Sequence, residues 1–192
     1  YKLGFIYFEG KLISRNINKG IFYFISSSES GYIPANFIIG YFYHEGKYVK
    51  KDMRQSIKYY KEGSSFNDQY CKNNLGIIYR YGYGEEIEQN IGYSNAYFEE
   101  AIRQKDDIIS MYNLSHLYIY ENIRNTIDES IKYLFNSYKK GFLPSIELLC
   151  IALINELIQK HKFNIELIIE ELGKQIDCSK KDKNLIIRDI QT

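Results

Sequence analysis

An aliphatic residue followed by a small one recurs at Leu3-Gly4, Ile39-Gly40, Leu75-Gly76, Leu114-Ser115 and Leu149-Cys150, the small members lying 36, 36, 39 and 35 positions apart. Three residues after the small one stand Tyr7, Tyr43, Tyr79, Tyr118 and then Leu153. A period of roughly 30 to 40 residues marks an array of structural repeats. A second phase runs between the pairs. It is marked by Gly20, Ser56 and Ser130 and, with a three-residue insertion in the third unit, by Asn95. Three positions on come Tyr23, Tyr59, Phe98 and Tyr133; seven on come Ser27, Gly63, Ile102 and Ser137. Eleven on come Gly31, Asn67, Asp106 and Gly141; fifteen on come Ala35, Cys71, Ser110 and Ser145. Steps of three and four are the helical period.

Each unit therefore reads as two antiparallel helices. The first, helix A, carries the aliphatic-small pair and the tyrosine, as in residues 35–44 and 70–80. Gly10, Gly46 and Gly82 are expected to stop it, because glycine accepts the left-handed backbone of a helix end. Helix B follows, as in residues 53–62, with Gly63 suited to its end. Asp52 with Gln55, and Thr126 with Glu129, have capping-box spacing, in which each side chain satisfies a free backbone N–H. The small residue is expected where helix A meets a neighbour most closely, since overpacking there costs on the order of 1–3 kcal/mol. The tyrosine one turn on offers an apolar ring and a hydroxyl able to reach the helix-loop backbone.

This pattern resembles the Sel1-like repeat, a relative of the tetratricopeptide repeat. One copy runs Ser56, Tyr59, Gly63, Cys71, Asn74-Leu75-Gly76, Tyr79 and Gly82. A second runs Gly20, Tyr23, Ser27, Gly31, Ala35, Ile39-Gly40, Tyr43 and Gly46, and Asn113-Leu114-Ser115 with Tyr118 gives a weaker third. The resemblance implies an all-α fold, an α-solenoid of about five antiparallel helix pairs forming a right-handed superhelix. Residues 1–156 would form the array. Residues 157–192 would form a degenerate last repeat or capping helices, with a helix B over 164–176 and a last helix A over 184–190.

In such arrays the A helices line a concave face. By the register of the related repeats that face takes Phe5, Phe8, Tyr41, His44, Ile77, Arg80, Tyr81, His116 and Tyr120, with Phe37, Asn73 and Tyr112 from the turn before. The set is aromatic with a few polar members, the composition of a protein-binding surface. The resemblance implies a non-catalytic scaffold or adaptor that binds a partner protein or peptide and needs no cofactor. The alternative is a regulatory or targeting repeat region of a larger enzyme, such as a protein kinase or a ubiquitin-ligase complex of protein quality control. No kinase motif lies within these residues. Secreted members that handle β-lactams have regularly paired cysteines in each unit, which this chain lacks.

Composition narrows the classes further. The 192 residues hold 25 Lys and Arg against 24 Asp and Glu, a net charge of +1, so no basic excess points to nucleic acid. The 20 Tyr and 11 Phe are numerous enough that part of the aromatic row reflects the chain's general excess. Cys71, Cys150 and Cys178 have no metal-ligand spacing and read as buried apolar residues, which favours a cytoplasmic setting. No apolar stretch reaches the roughly 18 residues of a membrane span. The chain starts at Tyr1, mid-repeat, and is expected to belong to something longer, so a secretory signal upstream stays open. His44, His116 and His161 fall in different units with no HExxH. Gly82-Tyr83-Gly84 lacks the later glycine and Lys-Ser/Thr of a phosphate loop. Asn113-Leu114-Ser115 is formally a sequon but coincides with the buried signature. Glu99-Glu100, Asp106-Asp107 and the 180–183 charge run read as solvated faces or helix-end charges.

Overall fold

The computed structural model describes residues 1–105, 107–121, 123 and 126–159, with backbone alone at 104, 105 and 154–159. The expected helices over 164–176 and 184–190, along with His161, Cys178 and the 180–183 run, lie outside the described residues. The expected boundary after residue 156 falls within the last described helix. Two compact units, Tyr1–Ser110 and Met111–Thr192, divide the chain.

Among the described residues every element is helical: α1 (Lys2–Glu9), α2 (Ile17–Glu29), α3 (Pro34–Glu45), α4 (Met53–Ser65), α5 (Gln69–Tyr81), α6 (Ile91–Lys105), α7 (Ile108–Tyr120), α8 (Ile127–Lys139) and α9 (Ser145–Gln159). Within the first unit α1 packs on α2, α3 on α4 and α5 on α6; within the second, α8 packs on α9. A β-bridge joins Tyr83 to Ile87 in the loop between α5 and α6.

The recurring small residue packs against its own unit's helix B. A Cβ on Gly4 would stand 2.7 Å from the Phe24 ring, one on Gly40 2.6 Å from Tyr60, and one on Gly76 2.5 Å from Phe98. Phe24, Tyr60 and Phe98 are fully buried. Those rings fix the register of the third unit. Phe98 is the counterpart of Tyr60, so Tyr97, not Phe98, corresponds to Tyr59. The second-phase mark is then Ser94 and not Asn95, and the insertion is two residues long. Ser94 is fully buried and its hydroxyl donates to the Gly76 carbonyl at 2.8 Å. The fourth pair reverses this bond: the Ser115 hydroxyl donates to the Ser130 carbonyl at 3.3 Å, as well as to Met111 O.

In the first three repeats the tyrosine meets the loop through its carbonyl and helix B through its ring. Asn16, Asp52 and Asn90 donate their backbone N–H groups to the carbonyls of Tyr7, Tyr43 and Tyr79 at 2.8, 3.0 and 2.7 Å. The phenol rings stack on helix B: Tyr7 on Tyr23, Tyr43 on Tyr59 and Tyr79 on Tyr97, with interplanar angles of 13, 6 and 5°.

The same three loop residues cap helix B, accepting from Lys19, Gln55 and Tyr93 N–H. Asp52 therefore caps α4 as expected, but its own N–H is taken by Tyr43, which leaves Gln55 no reciprocal role. Thr126 makes no cap: its hydroxyl donates to Ile123 O. Gly10, Gly46 and Gly82 end their helices at positive φ as expected. Gly63 does not end α4. It is buried inside the helix, where a Cβ would meet the Cys71 sulfur at 2.4 Å. The B-to-A turns instead carry a left-handed residue at Gly31, Asn67 and Gly141.

Two charged residues, Lys72 and Arg80, are buried within the described interior. Lys72 on α5 is 3% exposed. Its Nζ donates to Asn67 Oδ1 at 3.2 Å and lies 3.3 Å from Glu100 Oε2 on α6. Glu99 accepts from Asn95 Nδ2. Glu100 is exposed, as the sequence leads one to expect, while Glu99 is half-buried.

Candidate partner-binding site

Four of the expected groove residues meet around one cavity of about 580 Å3 in the first unit: Phe5 and Phe8 from α1, and Phe37 and Tyr41 from α3. Helical spacing places them. Phe5 and Phe8, like Phe37 and Tyr41, are three or four apart and so share a face. The back wall is core: Phe24 and Phe42 are buried, with Phe5 edge-on to Phe24 at 5.0 Å and Phe8 stacked on Phe42 at 5.3 Å. The mouth is exposed. Tyr41 keeps 45% of its surface in solvent and Tyr70 50%, with Phe37 tilted against Tyr70 at 5.5 Å.

Sequence reasoning missed Tyr1, Pro34, Ile38, Asp68 and Tyr70, which complete this lining. Pro34 and Tyr70 each directly precede the small residue of the next helix A, Ala35 and Cys71. That shared phase was the signal available for them. Asp68 is the N-cap of α5, its Oδ1 accepting from Cys71 N–H at 2.8 Å.

The other expected residues are differently placed. Asn73 and Arg80 are buried, so they do not present a face to a ligand. Asn73 Oδ1 accepts from the Ser110 hydroxyl at 3.2 Å. The Arg80 guanidinium lies 5.1 Å from the Tyr81 ring centre, and the Arg80 carbonyl accepts from Gln89 Nε2. Tyr81 itself is exposed and Ile77 half-buried.

His44 is half-buried, with Nε2 2.7 Å from the Tyr83 hydroxyl. Burial lowers its pKa; nearby Glu45 opposes this and Lys51 adds to it. Phe8 and His44 thus occupy one repeat position, and the A-to-B loop of the next unit covers each: Tyr48 stands edge-on to Phe8 at 4.8 Å and Tyr83 edge-on to His44 at 5.5 Å. In the second unit Tyr112, His116 and Tyr120 follow one another along α7. His116 meets Tyr112 edge-on at 6.1 Å and stacks on Tyr120 at 4.2 Å.

Among the described residues no group of three or more His, Cys, Asp or Glu side chains is placed to hold a metal ion. Both described cysteines are free thiols, and burial pushes each pKa up, away from nucleophilic thiolate. Gly82-Tyr83-Gly84 closes α5, with Gly82 N–H on Ile78 O. Leu114 and Ser115 of the sequon are buried. No helix among the described residues is long and apolar enough to cross a membrane.

An all-α chain of consecutive antiparallel pairs, three of them closed by a glycine under an aromatic ring, is a helical repeat solenoid. Residues 1–32, 33–65, 69–106 and 108–135, more than half of the chain, match the family model described as Sel1 repeat. The chain belongs to the Sel1 repeat family, whose general role is protein–protein interaction and whose members are typically non-catalytic scaffolds. No curated protein matches the sequence.

Two solved structures share the fold. One is a protective antigen present in uropathogenic Escherichia coli strains, displaying an SLR fold, at TM-score 0.72 and 22% identity. The other is a Sel1 repeat protein from Oxalobacter formigenes, at TM-score 0.71 and 17% identity. Each match covers 81% of this chain, but it spans only 33% of the first protein and 61% of the second.

Proposed function

We propose that this chain is a non-catalytic scaffold or adaptor that captures a partner protein through the aromatic cavity of its first unit. The observation that carries this reading is the convergence of Phe5, Phe8, Phe37 and Tyr41 on one open cavity. Sites of roughly 300–1,000 Å3 lined mainly by apolar and aromatic groups are the usual form of a binding pocket. Tyrosine at such a mouth adds contact area at low entropic cost. Tyr81 offers further exposed aromatic surface in the same unit. In the second unit His116 and Tyr120 form a separate aromatic row of the same character.

The test is capture of partners from extracts of the source cell with three baits. These are the unaltered chain, the double variant Tyr41→Ala with Tyr70→Ala, and Phe22→Ala as a control. Phe22 is exposed and lies outside the cavity. Proteins retained by the unaltered chain and the control but lost with the double variant are the expected result. An identical set on all three baits would sink the cavity assignment.

A further inference from the structure

We infer that the cavity receives a lysine or arginine side chain of the partner, its aliphatic stem against the rings and its cation beside the Asp68 carboxylate. This inference rests on the reading of the cavity as the partner site. Asp68 is the one charged group lining the cavity; every other lining side chain is aromatic, aliphatic or proline. Its bond with Cys71 N–H at the start of α5 holds it in place without pairing it with a cation. Among the described residues Asp68 forms no ion pair.

The occupant must satisfy both the rings and the charge. An apolar side chain would strip water from the carboxylate and return nothing. An acidic one would be repelled. The charge is already felt within the site: the Tyr1 phenol is held above its ordinary pKa first by burial, then by Tyr32 and Asp68. The rings supply the second half of the recognition, because a cation over an aromatic face is drawn to its negative quadrupole. This chain uses that contact repeatedly within itself, as with Lys51 over Tyr83 at 5.2 Å and Lys139 over Phe135 at 4.5 Å. Among the described residues no lysine or arginine of the chain lies over Phe5, Phe37, Tyr41 or Tyr70. Four rings beside an unpaired carboxylate therefore match a basic side chain brought from outside.

The experiment is selection of a random-peptide display library on the 192-residue chain. Affinities of the selected peptides are then measured against Asp68→Asn and against Tyr41→Ala with Tyr70→Ala. Asparagine caps a helix as well as aspartate does, so Asp68→Asn removes charge and spares α5. The expected result is enrichment of peptides anchored by Lys or Arg. Their binding falls at least roughly tenfold with Asp68→Asn, as for loss of one partner of a desolvated charge pair. It falls further with the tyrosine variant, and replacing the peptide's Lys or Arg by Gln removes the sensitivity to Asp68→Asn.

Peptides with apolar anchors that need the tyrosines but ignore Asp68→Asn overturn the cationic occupant and leave the cavity as the site. Peptides indifferent to both variants, or no enrichment at all, overturn the cavity itself.

Discussion

The Tyr60 ring occupies the space that a side chain at Gly40 would need: a Cβ there would stand 2.6 Å from the ring carbons. Tyr60 is fully buried and cannot retreat without opening the pair α3–α4. Gly40→Ala is therefore expected to destabilise the first unit by about 1–3 kcal/mol, although alanine is the better helix former. Urea denaturation followed by circular dichroism measures it. A neutral or stabilising Gly40→Ala would mean the helices separate freely at this point.

The loop residues make a sharper distinction. Asp52 caps α4 through its side chain and clamps Tyr43 O through its N–H. Asp52→Ala should cost about 1 kcal/mol. Asp52→Asn and Gln55→Ala should both stay near wild type, because the glutamine has no backbone N–H of Asp52 to accept. Equal loss from Asp52→Ala and Gln55→Ala in thermal melts would restore the full capping box.

Lys72 and Glu100 test a buried charge. Glu100→Gln leaves the Lys72 ammonium with only Asn67 beside it and is expected to destabilise by about 1 kcal/mol, discounted because Glu100 is itself 49% exposed. Lys72→Met removes the charge with its need for a partner and is expected to be neutral or stabilising. The order of the two unfolding midpoints decides the matter; Lys72→Met falling below Glu100→Gln would contradict it.

His44 gives a pH dependence with a defined sign. Burial holds its folded pKa below the ordinary 6.5, so on acidification the unfolded chain takes up the proton first. The stability His44 contributes is whole above pH 6.5 and is lost as pH falls from there towards the folded value. Its Nδ1 is buried with no acceptor among the described residues, in keeping with a neutral ring. The gap in thermal midpoint between wild type and His44→Gln should shrink on acidification. A gap that widens would show a protonated, stabilised imidazole instead.

The array was readable in the sequence because its causes are steric and periodic. Gly4, Gly40 and Gly76 are small for one reason at one phase, and that reason survives translation into structure. The third unit's register was not, because its extra loop residues and the neighbouring pair Tyr97-Phe98 allow two alignments; only the ring against Gly76 distinguishes them. Part of the cavity lining was readable. Phe5, Phe8, Phe37 and Tyr41 follow from helical phase, whereas Arg80 and Asn73 share a phase with surface positions but are themselves buried. Asp68 precedes α5 as its N-cap, where periodicity carries no information, whereas Tyr70 sits in the first turn of α5 at the phase of Pro34. The Lys72–Glu100 pair escaped for a similar reason, since charged letters on a helix give no sign of a partner on the next one.

The bonds from Asn16, Asp52 and Asn90 to the three tyrosine carbonyls pin both ends of each A-to-B loop at the same points of the repeat. The third loop carries two more residues between those pins than the first two, yet the pair α5–α6 keeps the same ring-on-glycine contact. Loop length is thereby insulated from helix stacking. An array built this way can try new sequence at each loop, one unit at a time, while the scaffold that holds its neighbours stays in register.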